Sequence, residues 1–127
     1  MRSVFLHSRA DPQAGPAQLE SMYRLRCRVF RERLGGLDVD DYDRLHPVYA
    51  LYSPTRQDVE GCWRILPTTG PNMLRDIFPF LVEDGAPPAD DDIWEISRFA
   101  VDSLRPTYDS LASLHMATSD LLITLIE

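Results

Sequence analysis

Apolar positions along this chain follow two rhythms, one near period two and one near 3.6 residues. VFLHS (4–8) is a short strand candidate. ADPQAGPAQ (10–18), with two prolines and a glycine, is a loop. From Pro16 or Ala17 to Leu34 the positions Leu19, Met22, Tyr23, Val29 and Phe30 mostly keep helical spacing. Pro16 suits a first helical turn, and Gly35-Gly36 is placed to stop the helix. On that helix Arg26 shares a face with Met22 and Phe30, each four residues away.

LDVDDYDRLH (37–46) is acidic and has no regular pattern. PVYALYS (47–53) and VEGCWRIL (59–66), joined by the turn SPTRQD, predict an antiparallel hairpin. PTTGPNML (67–74) and VEDGAPPADDD (82–92) are loops, and between them LRDIFPFL gives a helical turn broken by Pro79. IWEISRFAV (93–101) is a strand. A last amphipathic helix, with Leu111, Leu114, His115, Thr118, Leu121, Leu122 and Leu125 on one side, starts near Tyr108 or Asp109. It runs to the final residue without a cap, as in a domain cut short. The order helix, strands, helix predicts a mixed α/β fold with helices on the sheet faces. At 127 residues, one domain over 1–127 is expected.

Composition narrows the function classes. Net charge is −7 and every one of the 13 Lys+Arg positions is arginine. An acidic chain argues against nucleic acid as a general partner. No apolar run approaches the roughly 20 residues of a membrane span, and the N-terminus has no signal-peptide core, so a cytoplasmic protein without a membrane partner is expected. Cys27 and Cys62 have no metal or CxxC spacing and are expected as free thiols. His7, His46 and His115 are too dispersed for a metal site, and none is spaced to activate a cysteine. DVDDYD lacks the glycine and terminal glutamate of a calcium loop.

What composition does not explain is charge inside apolar strands. Arg64 stands within CWRIL, and Glu95 and Arg98 within IWEISRFAV. Leaving one such ion unpaired costs about 3–5 kcal/mol. With Arg26, Asp40 and Asp43 they make three arginines and three carboxylates from four segments. A self-neutralising network beside a site accounts for them economically. In a regular strand Glu95 and Arg98, three apart, face opposite ways. A β-bulge near Ile96-Ser97 would bring them to one side. The loop LPTTGP after Arg64 is open to two readings, a donor-bearing ligand loop or a plain turn.

Four stretches, LRCRVFRERL, DDYDRLHPVYAL, GCWRILPTTGPNMLRDIFPFL and IWEISRFAVD, together resemble the acyl-homoserine-lactone synthases, the autoinducer synthases of quorum sensing. The likeness covers roughly residues 20 to 126. It implies an N-acetyltransferase-like α-β-α sandwich with a mixed twisted sheet, here without its C-terminal part. It also implies an acyltransferase joining an acyl group from acyl-acyl carrier protein or acyl-CoA to S-adenosyl-L-methionine. The products are an N-acyl-L-homoserine lactone and methylthioadenosine, and no cofactor is implied. The family's motif positions fall on Glu95, Asp40, Asp43 and Arg98 as the catalytic set, and on Arg26, Phe30, Arg64 and Phe78 as substrate-binding residues. The chain departs from the family after Gly35, where a tryptophan and a longer link are expected. Two other classes compete: a non-catalytic homologue that binds substrate or carrier without turnover, and an N-acetyltransferase for another amine. The latter would need an RxxGxG pyrophosphate loop, which these residues lack.

Overall fold

The computed structural model describes residues 4–32 and 35–102. Strand β1 is Val4–His7, helix α1 Pro16–Phe30, strand β2 Val48–Tyr52 and strand β3 Gly61–Pro67. The short helix α2 is Met73–Asp76 and strand β4 is Trp94–Val101. Two 3-10 turns complete the set, an acidic one at Asp41–Leu45 and a second at Pro79–Leu81. The predicted helix from Tyr108 lies outside the described residues. Among the described residues no helix is long and apolar enough to cross a membrane.

Helix α1 begins as its sequence dictates. Gly15 is extended ahead of Pro16, and the Gln18 side chain accepts the Gly15 N–H at 3.3 Å. The helix ends at Phe30, earlier than the predicted Leu34. Its last backbone bond runs from Arg31 N–H to Cys27 O at 3.0 Å, and Glu32 then turns left-handed at φ 53°. The link behind it runs back along the helix, where Asp38 N–H reaches Tyr23 O at 3.0 Å. A Cβ on Gly36 would stand 2.9 Å from the Cys27 sulfur, so only glycine lets the link lie this close.

The four strands form one sheet in the order β1-β2-β3-β4, every described pair antiparallel. The hairpin of β2 and β3 is present as predicted, pairing Tyr49 with Arg64 and Leu51 with Cys62. Alternation then sorts side chains by face. Tyr49, Leu51, Cys62 and Ala100 join Met22, Leu25 and Val59 in the core beneath α1. On the other face Val4 and Ala50 are packed by Tyr52, Trp63 and Val101.

Strand β4 carries the expected irregularity. Cys62 pairs with Ala100 but Arg64 with Ser97, so β4 takes three steps where β3 takes two. The extra residue falls between Ser97 and Ala100, slightly later than predicted. Arg98 occupies the left-handed region at φ 54°, which costs a non-glycine residue on the order of 1 kcal/mol.

Candidate active site

Three arginines reach one place from three elements. Arg64, fully buried, extends from the inner face of β3. Its Nε donates to Ser97 Oγ at 3.0 Å, its Nη1 to Asp40 Oδ1, and its Nη2 to Met73 Sδ at 3.0 Å. Arg26 comes from α1 and is equally buried. It forks onto both Asp43 oxygens at 2.8 and 2.9 Å, and its Nε donates to Asp38 at 3.0 Å. Arg98 comes from the bulge. Its Nη2 donates to Asp40 Oδ2 at 3.2 Å, and its Nε lies 3.3 Å from Asp38 Oδ2 without hydrogen-bond alignment. The Arg98 guanidinium sits 5.1 Å above the Phe30 ring.

The acidic turn supplies the counter-charges because its sequence caps itself. Asp40 accepts the backbone N–H of Tyr42 at 3.0 Å and of Asp43 at 3.3 Å. Asp43 returns the contact by accepting Asp40 N–H at 2.9 Å. The Tyr49 hydroxyl donates to Asp43 Oδ1 at 2.7 Å and lies 3.4 Å from the Tyr23 hydroxyl.

Pairing outweighs burial in this cluster. Burial pushes the Asp43 carboxyl upward, but the Arg26 fork, the Asp40 N–H and the Tyr49 hydroxyl hold it well below the usual carboxylate range. Asp38 is depressed as well, burial being overcome by Arg31, Arg26 and Arg98. The Arg26 guanidinium is raised: burial opposes its charge, and Asp43 more than compensates. Tyr49 is driven upward by burial and by its Tyr23 and Asp43 contacts, so it stays a hydrogen-bond donor.

The sequence-predicted set is thus assembled in part. Arg26, Asp40, Asp43, Arg64 and Arg98 interlock, and Phe30 joins them through Arg98. Glu95 is buried on the same face but pairs with none of the arginines among the described residues. Register explains this departure. Glu95 lies across from Leu66, whereas Ser97 lies across from Arg64 and takes its Nε. Glu95 Oε2 instead accepts the Leu74 N–H from α2 at 3.1 Å. Its Oε1 is buried without a hydrogen-bond partner among the described residues. Phe78 stands between α2 and the second 3-10 turn, its ring edge-on to Phe80 at 6.0 Å and partly exposed.

Asp38 takes the third carboxylate place that sequence reasoning gave to Glu95. The one hint in the sequence is weak: Asp38 and Asp40 are two apart in LDVDD, and only if that segment is extended do both point one way. The PTTGP loop is tied through Thr68 to the segment that leads into β4. Thr68 Oγ1 donates to the carbonyls of Ile93 and Asp90, at 2.7 and 2.9 Å, and accepts Asp90 N–H at 3.0 Å. Both cysteines are free and buried, and burial pushes the Cys62 thiol up to about 12, which disarms it as a nucleophile.

Chemically, the three aspartates are neutralised by Arg26, Arg64 and Arg98, with half-exposed Arg31 also on Asp38 Oδ1. On the same sheet face lies one buried carboxylate oxygen, Glu95 Oε1, that lacks a donor among the described residues. Such an oxygen suits a hydrogen-bonding amine or ammonium.

The family model described as autoinducer synthase matches residues 13–127. An acyl-homoserine-lactone synthase of Pseudomonas aeruginosa is 43% identical over 94 residues, covering 67% of this chain and 47% of that protein. The crystal structure of the AHL synthase LasI superposes with a TM-score of 0.77 at 35% identity, covering 94% of this chain and 62% of that one. A CoA-dependent acyl-homoserine lactone synthase, BjaI, with SAM and isopentyl-CoA, gives 0.63 at 36% identity, covering 80% and 50%. The chain shares the α/β fold of these synthases, as the resemblance implied. It spans about half the length of the curated relatives it matches.

Proposed function

The chain belongs to the autoinducer synthase family, and from that premise we propose that the encoded protein is an acyltransferase. It transfers an acyl group from acyl-acyl carrier protein or acyl-CoA to the amine of S-adenosyl-L-methionine. The acylated intermediate then closes to an N-acyl-L-homoserine lactone and releases methylthioadenosine. The single observation that carries this reading is the buried Glu95 Oε1, which has no partner among the described residues while Oε2 is fixed by Leu74 N–H. That oxygen takes a proton from the substrate ammonium, directly or through one water. The freed amine attacks the thioester carbonyl, the carbon–sulfur bond breaks, and the departing thiolate takes the second amine proton to leave as the thiol. The methionine carboxylate then attacks its own γ-carbon, the bond from that carbon to the sulfonium sulfur breaks, and methylthioadenosine leaves, a step that needs positioning rather than a protein nucleophile.

The remaining residues hold the site in register. Arg26 and Arg64 have each guanidinium nitrogen occupied by protein partners, so they frame the site. Asp40 and Asp43 keep those arginines in place. Arg98, held by Asp40 and seated on Phe30, is the most accessible of the three cations. The solved synthase with SAM and isopentyl-CoA supports this substrate pair by similarity.

Glu95→Gln tests the reading. It keeps an acceptor for Leu74 N–H and removes the base. Expected are an unchanged fold by circular dichroism and a loss of about 10²–10⁴-fold in acylation. Near-wild-type turnover would remove Glu95 from the role. A wild-type protein that binds S-adenosylmethionine and makes no lactone would favour the non-catalytic alternative.

A further inference from the structure

One residue in the site has no role so far. Tyr42 is the second residue of the acidic turn, directly between Asp41 and Asp43. Its ring covers the Arg64 guanidinium at 5.5 Å. Its hydroxyl donates to Asp76 Oδ2, across the site on α2, at 2.9 Å. Helix α2 has two further attachments there. Met73 Sδ accepts from Arg64 Nη2, and Leu74 N–H donates to Glu95 Oε2. The acidic turn carries Asp40 and Asp43, which hold Arg64 from the other side. Tyr42–Asp76 is therefore a direct side-chain bond between the segment that holds the arginines and the segment that holds Glu95.

From this we propose that Tyr42 is a positioning residue. With Asp76 it straps the acidic turn to α2 and fixes the Leu74 N–H against Glu95. Tyr42 has two separable parts. The ring shields Arg64 from water and presents its electron-rich face to the cation. The hydroxyl sets the distance between turn and helix. Asp76 is itself held by Arg75 Nε at 2.6 Å, so the acceptor is steadied from a second side. Helix α2 has only four residues and one core side chain, Met73. So short an element has little packing of its own to fix it, and its tethers carry that task. The catalytic meaning of the strap rests on the acyltransfer reading above; its mechanical meaning does not.

The test separates the two. In the full encoded chain, Tyr42→Phe keeps the ring over Arg64 and deletes the hydroxyl. Amide hydrogen exchange is measured residue by residue. The Leu74 amide, and its neighbours in the acidic turn, should exchange roughly tenfold faster in Tyr42→Phe, while β1 and β2 amides stay unchanged. Asp76→Ala should give the same pattern, Asp76→Asn should restore most of the protection, and the double variant Tyr42→Phe/Asp76→Ala should be no worse than either single one. Unchanged Leu74 protection in Tyr42→Phe, or additive single effects, would overturn the strap. A uniform rise across the sheet would also overturn it, by showing a general stability effect. Turnover with S-adenosylmethionine and an acyl thioester is the second readout. The strap predicts a lower kcat with little change in KM for Tyr42→Phe, and an unaltered kcat refutes its catalytic part. An inactive wild type would refute the acyltransfer reading and leave the exchange result to decide the strap.

Discussion

Cys62 and Arg64 are two residues apart on the same face of β3, and both are buried. Their surroundings differ completely. Cys62 lies among Met22, Leu25, Leu51, Val59 and Ala100, and its polar contacts are to backbone only, a 3.5 Å approach to Arg98 O and the Ala100 backbone. Arg64 is surrounded by Ser97, Asp40, Asp43, Met73 and Tyr42. The apolar half is held by non-directional burial, about 25 cal/mol per Å² of surface removed from water. The charged half is held by mutual compensation, in which each ion is tolerable only because the others are present. One half is graded and the other conditional, and they respond differently to damage.

The largest contrast should come from Arg64→Met. It takes one of two guanidinium partners from Asp40 and from Asp43, leaving Arg98 and Arg26 on them, and breaks the buried network at an expected cost of about 3–5 kcal/mol by denaturant unfolding. Leu25→Ala, in the apolar half beneath the same helix, should cost about 2–5 kcal/mol through lost burial and a cavity. The two separate by chemistry. Refilling the Leu25 site with Met recovers most of that loss, whereas no apolar residue at 64 recovers its own while the aspartates remain. A full rescue of Arg64→Met by repacking would collapse the distinction.

Acid should act on the charged half and not on the apolar contacts around Cys62; outside it, His7 in β1, lowered by burial, adds a separate acid-sensitive contact to Ala14 N–H. Asp43 and Asp38 have folded values below their ordinary value of 3.8. Their contribution is complete above the unfolded value and disappears as pH falls through the folded one. Denaturant midpoints should therefore decline from about pH 5 downward. Asp43→Asn should start lower at neutral pH and show a shallower decline. An equally steep acid limb in that variant would place the titration elsewhere. The smallest effect is at Arg44→Ala, which breaks the open Arg44–Asp41 pair at 2.6 Å. Both side chains there are at least three-quarters in solvent, 75% and 91% exposed, and no measurable midpoint shift is expected.

Most of the sheet was legible because alternation and turn residues state it directly. VFLHS, the hairpin and IWEISRFAV each became a strand, and Pro16 opened α1 as expected. The end of α1 was not legible, since the left-handed Glu32 carries no glycine or proline to mark it. In the site, Arg64, Glu95 and Arg98 could be picked out because charges are conspicuous in apolar strands. Asp38 was hidden for the opposite reason: in an acidic stretch a buried carboxylate looks like its solvated neighbours. Tyr49 was hidden as a strand aromatic, and only the fold shows its hydroxyl on Asp43. The expected ion pairing of Glu95 failed on register, which depends on where the bulge falls and not on which residues are present.

That bulge has a consequence for lineage and engineering alike. Because the surplus position lies between Ser97 and Ala100, removing one residue there would leave Cys62 opposite Ala100 and everything beyond still facing its present side. Removing one anywhere else in β4 would turn part of the strand inside out, sending Phe99 under α1 or Glu95 toward water. Residue counts within this strand are therefore a parity code: at one point along it a length variant keeps both faces in register, though it gives up the bulge that carries Arg98 to Asp40.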